Sequence, residues 1–166
     1  FCLTGCKSRT DEMVDLETYT TKQMNKTKKK VIKCINEQDK EGLKKLFSKD
    51  AQKHIEDLDS KLDQFINTFN GNKIESKKSR DPNFEGSAQA QPLHIFGKYH
   101  LKLSNGDKYI LFINTCDIDE DNKDREGIYQ LVILTFSSEE VPEDFRMEGT
   151  NNDYGIFIYS KDGTLL

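Results

Sequence analysis

The sequence predicts an α+β domain in which N-terminal helices pack on a curved antiparallel sheet. Three observations carry that prediction. Apolar residues recur three and four apart as far as residue 69, they alternate with polar ones from residue 93 onward, and Asn105-Gly106 separates two strand-like runs. At 166 residues, a single domain behind a short leader is the economical organisation, since domains commonly hold roughly 100–200 residues.

Taken in order, the helices come first. Met24, Val31, Ile32 and Ile35 share a helical stripe, which predicts a helical region over about 11–38, with Met13 and Leu16 marking an earlier amphipathic turn. Asp39 can cap a short helix carrying Leu43, Leu46 and Phe47, and Ser48 or Asp50 can cap the next. Ala51, Ile55, Leu58, Leu62, Phe65, Ile66 and Phe69 then fall on one face, so one long helix over about 49–69 is expected, stopped by Asn70-Gly71. Residues 76–92 are rich in Ser, Lys, Gln and Pro and lack a helical period; a mobile loop is expected there, with a ragged strand over 73–77.

The sheet follows. Leu93, Ile95, Tyr99, Leu101 and Leu103 alternate with polar residues, Asn105-Gly106 is the signal of a two-residue hairpin, and 109–116 returns as a strand. An acidic loop over 117–124 leads to a third strand over 127–136 and a fourth over 154–159. The strands 109–116 and 128–136 are apolar on both parities. Their second faces require cover from the helices, from the 76–92 loop or from a partner chain, which makes a homodimer through the sheet a candidate assembly.

Charge and hydropathy narrow the class. Lys+Arg number 25 against 29 Asp+Glu, a net charge of −4, which argues against nucleic acid as a partner. The hydrophobic share of 34% against 33% charged residues predicts a modest core. The run Lys26-Thr27-Lys28-Lys29-Lys30 lies in the first helical pattern, so its lysines are expected mostly on the wet face opposite Met24 and Val31. No stretch approaches the ~18–20 apolar residues that span a bilayer.

The N-terminus carries the most specific signal. Leu3-Thr4-Gly5-Cys6 resembles the lipobox of bacterial lipoproteins, in which an aliphatic residue and two small ones precede the cysteine that becomes the new N-terminus. The resemblance implies a diacylglyceryl thioether on Cys6 and a place on the outer face of the cytoplasmic membrane. Two acyl chains suit stable anchoring, because each buried CH₂ contributes ~0.8 kcal/mol and one chain holds only marginally. The expected organisation is the end of a signal peptide over 1–6, a tether or early helix over 7–20 and one domain over 21–166, with the rest of the signal peptide upstream.

Other chemistry-bearing residues read as structural. Cys34 and Cys116 match no metal spacing; export would permit a disulfide between them, yet each lies in an apolar pattern that suits a buried thiol. The loop from Asp117 to Asp124 starts like a calcium loop but has Asn122 where Gly and Ile128 where Glu is needed, so a solvated loop is expected. His94 and His100 share parity with Lys98 and Lys102 on a face expected to be wet, and His54 sits beside the long apolar stripe. No phosphate loop, nucleophile elbow or zinc-protease motif is present. No catalytic, cofactor-binding or metal-ligating residue is expected.

The segment Asp39-Lys40-Glu41-Gly42-Leu43-Lys44-Lys45-Leu46-Phe47-Ser48 between helices, followed by a sheet, resembles the nuclear transport factor 2-like, or cystatin-like, superfamily. With the lipobox, Glu56-Asp57-Leu58-Asp59, Gly127-Ile128-Tyr129 and Tyr154-Gly155-Ile156, it is similar to the Gram-positive lipoproteins of domain-of-unknown-function family 5104. The resemblance implies a cone between sheet and helices, used in the superfamily by small enzymes, ligand carriers and protein-binding modules. The expected function is non-catalytic binding of a small ligand in the cone, or of an envelope protein, by a membrane-tethered domain. The alternative is a small hydrolase, isomerase or dehydratase that needs a buried carboxylate or His in the cone.

Overall fold

A computed structural model describes residues 9–79, 81–86, 92–143, 145–147 and 154–166. The lipobox residues Leu3, Thr4, Gly5 and Cys6 lie outside them. Four helices, α1 (Arg9–Glu37), α2 (Lys40–Lys44), α3 (Lys49–His54) and α4 (Leu58–Asn67), precede the strands β1 (Ile74–Ser79), β2 (Asn83–Glu85), β3 (Leu93–Leu103), β4 (Lys108–Ile118), β5 (Gly127–Leu134) and β6 (Gly155–Tyr159). The α+β class expected from the periodicity is the observed one.

The caps fall where side-chain chemistry allows. Asp39 Oδ1 accepts the Gly42 N–H at 2.7 Å to open α2, and Ser48 Oγ accepts the Ala51 N–H at 3.0 Å to open α3. The single helix expected over 49–69 is instead two. The helix breaks after His54, and Asp57 enters the left-handed region at φ 51° without a capping bond from its side chain. The apolar spacing could not reveal this, because Ala51, Ile55, Leu58, Leu62 and Phe65 are all buried on either side of the break. Asn70 and Gly71 do end the run, both at positive φ.

The six-stranded sheet runs β1-β3-β4-β5-β6, with β2 paired to β3. The expectation of an antiparallel sheet fails at one pair: β6 lies parallel to β5, Gln130 opposite Gly155 and Leu134 opposite Tyr159. The chain must return from the end of β5 to its beginning before β6 starts, and alternation in sequence carries no strand direction. Leu103 N–H donates to Asp107 O, so three residues, 104–106, lie between the pair that closes the β3–β4 hairpin instead of the two expected, with Gly106 at φ 92°. β1 extends through residue 79, and β2 occupies part of the stretch expected as a loop.

Helices and sheet share one core. Val31 and Ile35 of α1, Leu43, Phe47 and Ala51, and Leu62 and Phe65 of α4 meet Ile95, Leu111, Ile113, Leu131 and Ile158 from the strands. Burying each of these side chains larger than Ala51 contributes roughly 1.5–3 kcal/mol relative to exposure. The opposite face of β4–β6 is covered in part by the protein's own chain. Ile110, Val132, Leu134, Phe136 and Tyr159 form a second cluster under Phe145 and Met147, with Phe145 edge-on to both Phe136 and Tyr159.

Within the lysine run of α1, Lys26, Lys29 and Lys30 are exposed, but Lys28 is buried. Its Nζ lies 5.0 Å from the Tyr99 ring centroid and donates to Asn25 Oδ1 at 2.6 Å, a cation–π contact that compensates desolvation. No helix of the described residues is long and apolar enough to cross a membrane.

Candidate functional site

Two β-bulges lie at the end of the sheet where β3 begins, β4 ends and β5 begins. Between β3 and β4 the register passes from Leu93–Ile118 to His94–Cys116, leaving Asp117 as the extra residue; between β4 and β5 it passes from Asn114–Gln130 to Thr115–Ile128, leaving Tyr129 extra. A bulge re-aims side chains and ends regular pairing. Here the pair gathers polar groups at one end of the helix–sheet core. Asp117 Oδ2 accepts the Tyr19 hydroxyl of α1 at 2.6 Å, which ties the first bulge to the helical layer.

β5 is held at this end by the α2–α3 connection. Ile128 N–H donates to Leu46 O and Ser48 N–H to Ile128 O, both at 2.9 Å. Gly127 sits at φ 133°, and a Cβ there would stand 2.8 Å from Ser48 N. Only glycine allows so close an approach, and the approach brings α3 and its Asp50 beside Tyr154, which precedes β6.

The cluster consists of Asp50, His94, Asp119, Arg125, Tyr129 and Tyr154. The Tyr154 hydroxyl donates to Asp50 Oδ2, and the Tyr154 ring stacks on His54 at 5.3 Å. Tyr129 meets His94 edge-on at 5.5 Å and Tyr154 at 6.3 Å. Arg125 bridges two carboxylates, its Nη1 3.6 Å from Asp119 Oδ2 and its Nε 4.0 Å from Asp50 Oδ2. The loop expected to be solvated therefore buries one of its carboxylates: Asp119 is 3% exposed, because its Oδ1 accepts the backbone N–H of Asp121 and Asn122 and folds the loop over it.

Three buried side-chain atoms among the described residues have no hydrogen-bond partner: His94 Nδ1, Asp119 Oδ2 and Tyr129 OH. All three belong to this cluster. The face of His94 is thus not wet at its start, although Lys98 and Lys102 further along it are exposed as expected. Burial holds the His94 imidazole below its usual pKa, favouring the neutral ring despite Glu85 and Asp119 nearby. Burial likewise raises the Tyr129 phenol, and burial with the Asp50 hydrogen bond pushes Tyr154 up to about 12.

The remaining candidates fall elsewhere or are inert. Cys34 and Cys116 are two separate buried thiols, and burial pushes Cys116 up to about 11, so neither is a nucleophile at neutral pH. His54 is exposed, His100 half-buried. No group of three or more His, Cys, Asp or Glu arranged to hold a metal occurs among the described residues. In the acidic loop, Asp124 faces Lys49 and Lys53, and Glu126 accepts from Lys123 at 2.7 Å.

Sequence reasoning missed Asp50, Asp119, Arg125, Tyr129 and Tyr154 as a group. The available signal was the Asp119-x-Asp121-Asn122 spacing, which suits a side chain that caps its own loop.

A helical layer on a mixed sheet, closed at one end by a partly unsatisfied polar cluster, defines the class: an α+β domain with a polar cluster at one end of its core. The family model described as Domain of unknown function (DUF5104) matches residues 30–138, and the chain belongs to that family. The match contains every cluster residue except Tyr154. No curated protein matches the chain.

Proposed function

We propose that this chain is a membrane-tethered, extracytoplasmic lipoprotein whose domain, a nuclear transport factor 2-like cone, binds a small ligand at the polar end of its core without transforming it. The observation that carries the binding half is the confinement to that end of the three buried side-chain atoms that, among the described residues, have no hydrogen-bond partner. An unsatisfied buried polar group costs about 1–3 kcal/mol, so three together are a standing cost that a hydrogen-bonding ligand removes. The tether half rests on Leu3-Thr4-Gly5-Cys6.

Each half has its experiment. Cys6→Ala is expected to move the protein from the membrane fraction to the soluble fraction of its host; unchanged fractionation overturns the tether. Native mass spectrometry of protein purified from the host is expected to show a small bound mass that Tyr129→Phe removes. An empty species overturns ligand binding, and a doubled mass would turn attention to a second copy docked on the sheet.

The buried Asp119 and the neutral His94 favour one competing reading, a cavity enzyme with Asp119 or His94 as acid or base. Chemical alteration of the copurifying molecule by wild type but not by Asp119→Asn would establish it over simple binding.

A further inference from the structure

The chemistry of the cluster also selects a class of ligand, and this step rests on the binding site proposed above. We propose that the ligand is neutral and polyhydroxylated, a saccharide-type ring. Asp119 Oδ2 can only accept a hydrogen bond while it is ionised, since the other oxygen of this carboxylate already receives two backbone N–H groups. The Tyr129 hydroxyl keeps its proton and seeks an acceptor. The neutral His94 ring presents Nδ1 as donor or acceptor according to tautomer. A ligand that satisfies all three must both donate and accept, which is what adjacent hydroxyl groups do.

Charge removes the alternatives. An anion placed against Asp119 Oδ2 would meet that carboxylate directly, with Asp50 one guanidinium away and Glu85 opposite His94 in the β2–β3 register. A cation at the same oxygen would displace or oppose Arg125, whose Nη1 is already 3.6 Å from it. Desolvating a charge without a free counter-charge is costly, whereas desolvating a hydroxyl group costs far less and is offset by the hydrogen bonds it makes. Aromatic surface completes the match. Exposed His54, stacked on half-buried Tyr154 at 5.3 Å, and half-buried Phe96, 6.5 Å from His94, offer rings to the C–H faces of a sugar beside buried Tyr129.

The test titrates the whole 166-residue chain with glucose, galactose and N-acetylglucosamine, and with glucosamine and glucose 6-phosphate as cationic and anionic counterparts. The readouts are melting temperature and NMR shifts of the cluster residues. The expected result is saturable binding of at least one neutral sugar, roughly tenfold tighter than either charged counterpart and weakened at least roughly tenfold by Tyr129→Phe, which keeps the ring and loses only the hydroxyl. Preference for glucosamine or glucose 6-phosphate, still lost in Tyr129→Phe, overturns the neutral class and leaves the site standing. Absence of binding by all five sugars overturns the saccharide class, and Tyr129→Phe melting below wild type in that case overturns the ligand site as well, because the hydroxyl would then be paired within the protein.

Discussion

Asp119 and Arg125 meet with their hydrogen-bonding capacity divided. One carboxylate oxygen accepts the N–H groups of Asp121 and Asn122 at 3.1 and 2.9 Å, while the other faces the guanidinium at 3.6 Å, beyond hydrogen-bond distance. The carboxylate thus has two separable duties. Asp119→Ala loses both and is expected to destabilise the fold by about 1–3 kcal/mol, because two part-buried N–H groups lose their acceptor and Arg125 loses one of its carboxylates. Asp119→Asn keeps the oxygen that holds the loop and is expected to cost about half as much. Urea denaturation of the two variants checks the order; equal losses would mean that the ion pair, not the loop anchor, dominates.

Gly127 tests the seam between α3 and β5. A methyl group there meets the Ser48 backbone at 2.8 Å, and the residue is held at φ 133°, which L side chains rarely adopt. Gly127→Ala is expected to lower stability by about 2–4 kcal/mol, combining backbone strain with loss of the Leu46–Ile128–Ser48 hydrogen bonds. Thermal unfolding should show a drop of several degrees, and the Tyr154–Asp50 contact should loosen with it. A neutral effect would show that the seam yields without cost.

The contrast between what was and was not legible in the sequence follows from the range of each interaction. Helix stripes, caps at Asp39 and Ser48, and the alternation of β3 are set by neighbours within four residues, and these were readable. The parallel β5–β6 pair, the bulges at Asp117 and Tyr129 and the burial of Asp119 depend on partners many positions away. Composition and period say nothing about them. The site was hidden for the same reason: Asp50 and Tyr154 are 104 positions apart and become neighbours only because Gly127 lets the α2–α3 connection lie on β5.

The break between α3 and α4 is strained at one residue. Asp57 occupies the left-handed region, φ 51°, and its side chain makes no cap hydrogen bond to offset that conformation. Asp57→Gly is expected to stabilise the protein by up to about 1 kcal/mol, since glycine carries no Cβ penalty there. A higher urea midpoint at unchanged slope would confirm it. A lower midpoint would show that the unfolded-state entropy of glycine outweighs the relief.

The thiols should be silent in the native state. Burial raises Cys34 above its usual value and pushes Cys116 up to about 11, so both remain protonated and enclosed near neutral pH. Iodoacetamide at pH 8 is expected to label neither of these two cysteines at an appreciable rate until denaturant is added, after which both react at ordinary thiol rates. Peptide mapping of the alkylated chain separates them from Cys2 and Cys6. Fast labelling of Cys116 without denaturant would mean that the end of β4 opens readily.

Alkaline pH probes the tie between α1 and the first bulge. Tyr19, which donates to Asp117 at 2.6 Å, has its pKa pushed up to about 12, first by burial and then by that carboxylate; the unfolded value is 10.0. The unfolded chain therefore loses this proton first, and between about pH 10 and 12 the native state binds more protons than the unfolded one. Stability from this group is complete below pH 10 and falls as pH rises through that window. Tyr154 titrates in the same window, so both contribute to the slope. Tyr19→Phe is expected to lower stability by about 1 kcal/mol at pH 8, through the lost hydrogen bond, and to flatten the decline between pH 10 and 12. Urea midpoints of wild type and variant at pH 8, 10 and 11 measure both effects. Parallel curves across that range would show that Tyr19 is as exposed to solvent in the folded protein as in the unfolded chain, and that Asp117 is held in its bulge by the sheet alone.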